Sequence, residues 1–163
     1  MDQPKKKRRR TDDNGGDDGS GAAAASSSSS STSSEDPPAP PEEFILAARK
    51  GDERTVASAL RNPLVDPNMA HQEGYTALMG AALQGHAPVV TLLLGDDRVD
   101  PSITNQDGVT ALMGAAFQGH ASVVTLLLGS ARVNASVANQ EGAAALMGAA
   151  LQGHASVVTL LLG

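Results

Sequence analysis

The chain of 163 residues carries 12 Lys or Arg against 18 Asp or Glu, and its net charge of -6 argues against a domain built to hold nucleic acid. It has no cysteine, which excludes disulfide frameworks, thiolate metal sites and cysteine nucleophiles together. No apolar run approaches the roughly 20 residues that cross a bilayer, and the basic cluster near the start is followed by Asp and Gly rather than an apolar signal stretch, so the sequence reads as soluble and intracellular.

Residues 1–41 come first. Up to Glu43 the chain contains no Val, Ile, Leu, Phe, Tyr or Trp, and is marked instead by charge runs, the serines Ser26 to Ser31, and Pro37, Pro38, Pro40 and Pro41. With nothing to bury it does not offset its ordering entropy, and it is expected to be disordered. Within it Lys5, Lys6, Lys7, Arg8, Arg9 and Arg10, preceded by Pro4, resemble a monopartite nuclear-import signal. That pattern points to the nucleus and to an import receptor as one partner, with a cytoplasmic location as the alternative; a solvated charge run and a weak phosphate-binding arm are the other readings of the same residues.

Beyond the tail the sequence is periodic. The segment Gly74 to Gly95 returns 34 residues later as Gly108 to Gly129, and again as Gly142 to Gly163. Such a period marks units that cannot bury their apolar faces alone and must stack on neighbours, which gives a solenoid and favours binding over catalysis. A weaker copy precedes them, with Ala47, Ala48 and Gly51 in the places of Ala81, Ala82 and Gly85. The units therefore run over about 42–70, 71–104, 105–138 and 139–163. In the first of them Arg49, Lys50, Glu53, Arg54 and Arg61 are expected to form the polar outer face of a terminal repeat.

Each unit has the same internal order. In the third, Asn105, Gln106, Asp107 and Gly108 form a turn, Thr110 caps a helix over Ala111 to Phe117, and Gly119 closes it. A second helix is expected from His120 to Leu128, ended by Gly129, after which Val133 and Val137 point inward. This order resembles the ankyrin repeat, through Gly108, Thr110, Leu112, Ala115, Ala116, Gly119 and His120 and their counterparts one period away. Ala111 and Met113 stand where that family usually has Pro and His, and the period is one residue longer than usual. The resemblance implies an all-α repeat solenoid of helix-turn-helix units joined by hairpin-like loops.

The resemblance also implies where partners bind, on the hairpin tips and the exposed side of each first helix. Carried onto this chain, that surface comprises Gln72, Glu73, Tyr75, Leu83 and Gln84, then Gln106, Asp107, Val109, Phe117 and Gln118, then Gln140, Glu141, Ala143, Leu151 and Gln152. Tyr75 and Phe117 are the anchors expected from their aromatic rings, placing the site toward the second and third units. The recurring His86, His120 and His154 are expected to buttress the turn between the two helices of their own unit, since one zinc cannot reach two of them across stacked repeats. Gly114 and Gly119 have the spacing of a phosphate loop, but His120 and Ala121 replace its Lys and Ser or Thr.

No catalytic, cofactor or metal-binding residue is named, and enzymatic activity is not expected. The function implied is a protein-protein interaction module or adaptor with unidentified protein partners, no small-molecule substrate and no membrane. Two alternatives stand beside it. One is a self-associating structural protein, because Leu160, Leu161 and Leu162 are expected beside an open apolar end unless the chain is incomplete. The other is a nucleic-acid-associated factor held by the basic arm.

Overall fold

The computed structural model describes residues 40–163; the expectations for the tail and its import-like run lie outside these residues. Eight helices follow in pairs: α1 (Pro41–Lys50) and α2 (Glu53–Arg61), α3 (Ala77–Gln84) and α4 (Ala87–Leu94), α5 (Ala111–Gln118) and α6 (Ala121–Leu128), α7 (Ala145–Leu151) and α8 (Ala155–Leu162). No strand is present among the described residues, and the architecture is the all-α solenoid that the period implies.

The local causes repeat with the sequence. Thr76 and Thr110 are buried N-caps whose hydroxyls accept the backbone N–H groups of Met79 and Met113 at 3.3 and 3.2 Å. Each first helix of the two central units then stops at a glycine in the left-handed region, Gly85 and Gly119 with φ of 80°. That conformation costs an L-residue with a side chain roughly 1–2 kcal/mol, which is why the turn takes glycine. The second helix of the third unit ends at Leu128 before Gly129 as expected, but it starts one residue later and its closing glycine has another conformation. His120 is the residue before α6 rather than its first, and Gly129 after it is right-handed, so that glycine is not required there by its backbone angle.

The first helices form one row, α1, α3, α5 and α7, and the second helices another, α2, α4, α6 and α8, each helix packed on its equivalents in the adjoining units. Between the rows lies a continuous core whose largest fully buried side chains are Phe44, Leu93, Leu127, Val56, Val89, Val90, Val123, Val124 and Val157. Ala81, Ala82, Ala115 and Ala116 are fully buried where the rows meet, their small side chains allowing close approach. In the connections, Val65 and Val99 are buried, whereas Val133 and Val137 are only half-buried.

Candidate functional site

The hairpin-like loops before α3, α5 and α7 project beside the first-helix row. Each is closed by the same backbone pair, as in the bonds from Asn105 N–H to the Val109 carbonyl and from Gly108 N–H to the Asn105 carbonyl, both 3.0 Å. Asn105 reinforces its loop further, its Oδ1 accepting from the N–H groups of Asp107 and Val109 at 2.9 Å, and Asn139 does the same in the next unit. His71 occupies that position in the second unit; its ring is exposed and lines the cavity described below.

Successive loops are also bonded to one another. Gln106 N–H donates to the Glu73 carbonyl at 3.2 Å and Gln140 N–H to the Asp107 carbonyl at 3.1 Å. The side-chain amide of Gln106 donates to the Gln72 carbonyl at 2.6 Å, and that of Gln140 to the Gln106 carbonyl. Two of the glutamines selected for recognition thus tie loop to loop. The same bonds hold Glu73, Asp107 and Glu141, all exposed, in register along the loop edge.

The helix side of the surface is shaped by an absence of side chains. Gly80, Gly114 and Gly148 occupy one position of α3, α5 and α7, and the residue at the C-terminal end of the preceding first helix lies over each. A Cβ added at Gly80 would stand 3.4 Å from the Arg49 Cβ, one at Gly114 would stand 3.3 Å from a Leu83 methyl, and one at Gly148 would stand 3.6 Å from the Phe117 ring. Leu83 and Phe117 therefore cover the neighbouring unit, and Phe117 still leaves 45% of its surface exposed. Tyr75, Leu83, Val109 and Ala143 are half-buried; the remaining residues of the expected surface are exposed.

A cavity of about 440 Å³ opens on this face between the first and second units. Ile45, Leu46, Gly80 and Leu83 line it from the two helices, and Glu42, Arg49, His71, Glu73 and Tyr75 complete it. Three of these, Glu73, Tyr75 and Leu83, belong to the surface read from the sequence. The first-unit contributors Glu42, Ile45, Leu46 and Arg49 do not, because the weak match of that unit hid their equivalence. Arg49, expected on the outer polar face, is a cavity residue instead. Comparing Leu46 with Gly80, Gly114 and Gly148 by the 34-residue shift was the signal available.

A family model described as ankyrin repeats, in three copies, matches residues 44–137 and 97–163. The chain belongs to the ankyrin-repeat family. No curated protein matches it. The ankyrin repeats support a protein-protein interaction module, the typical and non-enzymatic role of such repeats. Among the described residues no helix is long and apolar enough to cross a membrane, and no group of three metal-ligating side chains comes together.

The ankyrin histidines act across units. Nε2–H of His86, His120 and His154 donates at 3.1 Å to the carbonyls of Arg49, Leu83 and Phe117, each in the unit before. Each ring sits against the preceding unit's turn glycine, where a Cβ on Gly51, Gly85 or Gly119 would come within 2.6 to 2.8 Å of Nδ1. The turn they buttress is thus their neighbour's rather than their own.

Proposed function

We propose that the chain is a protein-binding module or adaptor that presents the concave ankyrin face, made of the hairpin edge and the first-helix row, to a protein partner. The observation that carries this reading is the loop-to-loop bonding from Glu73 through Gln106 to Gln140, which holds side chains of three units as one preformed surface. A preformed surface loses little conformational entropy on binding, so its contacts contribute to affinity with little ordering cost. Tyr75 and Phe117 are the proposed anchors. Affinity capture with the full chain as bait, set beside a Tyr75→Ala and Phe117→Ala double variant, tests the surface. Partners retained equally by both would discard it.

We also propose that the module works in the nucleus, through the basic run from Lys5 to Arg10. An uninterrupted row of six cations gives an import receptor evenly spaced charges to pair with. A reporter fused to residues 1–20 is expected to accumulate in the nucleus. The same fusion with the six basic residues replaced by Ala should not, and identical distributions would end the reading.

A further inference from the structure

We infer that the groove between α1 and α3 seats an apolar side chain of an extended basic peptide whose cations run along the hairpin edge of the concave face. This rests on the reading of that face as the protein-binding surface and adds the chemistry of the partner.

The groove has the form of an anchor pocket. The buried Ile45 and Gly80 line it together with the exposed Leu46, which stands where all three later units have glycine. Leu46 leaves 45% of its surface exposed, an apolar side chain presented to whatever enters. A volume of about 440 Å³ lies at the small end of the range of ligand pockets, suited to an anchoring side chain rather than a folded element.

Charge selects the occupant. At the hairpin end Glu42 and Glu73 line the groove, and Asp107 and Glu141 continue the row along the loop edge, all four exposed. Among the described residues none of these four is in an ion pair, and the cation of the lining, Arg49, stands at the opposite end of α1. A peptide with cations toward the loops complements this field, and nucleic acid is repelled by it. Spacing sharpens the match. Packed helices of adjoining units lie roughly 8–10 Å apart, and an extended chain advances about 3.3 Å per residue. Cations at every third residue therefore meet Glu73, Asp107 and Glu141 in turn.

Fluorescein-labelled synthetic peptides of one Leu anchor with Arg at every second, third or fourth position, and a set with Glu in place of Arg, would be titrated with the full chain and followed by anisotropy. The third-position Arg peptide should bind tightest, weaken as salt rises, and lose about tenfold in a Glu73→Lys and Asp107→Lys variant. Leu46→Ala should weaken it several-fold without altering the salt dependence, and Asp97→Lys, on an outer loop, should change nothing. Equal binding of Glu peptides that remains sensitive to Leu46→Ala would overturn the basic partner while leaving the concave face as the binding surface. Arg peptides as sensitive to Asp97→Lys as to Glu73→Lys would overturn both. Indifference to spacing, or no binding by any peptide, would overturn the inference.

Discussion

Ala144 stands where Thr76 and Thr110 cap the preceding units, and α7 has no side-chain cap and is one residue shorter than α3 and α5. Replacing a threonine cap by alanine costs about 1 kcal/mol. Urea denaturation should therefore show Thr110→Ala less stable by about that amount, and Ala144→Thr more stable by somewhat less because the last unit is less buried. A second residue-scale prediction concerns Gly85. Its alanine variant meets both the left-handed backbone, at about 1–2 kcal/mol, and the His120 ring. Gly85→Ala is accordingly expected to cost less in a His120→Ala background than in the native chain, and strictly additive losses in the double-mutant cycle would show that ring and glycine do not interact. The capping threonine and the turn glycine were legible in the sequence because each acts through its immediate neighbours. The histidine's destination was not, since the carbonyl it bonds lies 37 residues away.

At the scale of elements, two arginines that no motif singles out join the outer ends of the units. Arg98 donates to the carbonyls of Leu60 and Val65 at 2.6 and 3.1 Å, and Arg132 to those of Leu94 and Val99 at 2.6 and 2.7 Å. Both reach carbonyls at or just beyond the end of the preceding unit's second helix, where helices leave acceptors without internal partners. The forked guanidinium suits two such carbonyls and an ammonium does not, so Arg132→Lys should lose most of the roughly 1 kcal/mol that Arg132→Ala loses. Arg98 is additionally held by Asp96 at 2.7 Å, whereas Ser130 occupies that place beside Arg132.

The same elements set an acid limit. A side-chain hydrogen bond from Arg98 holds the Asp96 carboxyl below its ordinary 3.8; bonds from Thr55 and from Ser102 do the same for Asp52 and Asp100. A carboxyl whose folded value is depressed contributes stability above its unfolded value, and that contribution is lost as pH falls through the folded one. The urea midpoint should therefore decline as pH drops below about 4, and Asp96→Asn should flatten part of that decline. A midpoint equally steep in the variant would remove Asp96 from the account.

For the whole molecule, coupling runs only between neighbours, so stability need not be uniform along the stack. Leu78 and Leu112 are buried at 3% and 2% exposure in the central units, while their counterpart Leu146 is 36% exposed, beside Met147 at 49% and Leu151 at 75%. Of α8 only Val157 is buried. Amide exchange is therefore expected to be faster in α7 and α8 than in α3 to α6, and uniform protection across the four units would contradict a nearest-neighbour account.

Sequence alone determined the unit, its repetition and its punctuation. Caps and turn glycines depend on residues within a few positions of one another, and the period shows on direct comparison of the copies, of which the last two agree at 19 of 22 positions. The family resemblance the sequence carries also named a candidate face on the hairpins and first helices, of which Tyr75, Leu83, Val109 and Ala143 are half-buried. Tertiary structure decided what those residues do. It spent Gln106 and Gln140 on joining loops, turned each histidine onto the neighbouring unit, laid Leu83 and Phe117 over glycines, and opened a cavity between the first and second units, beside Leu46 and Arg49. All of these are contacts between residues about one period apart, and only stacking brings such residues within bonding distance.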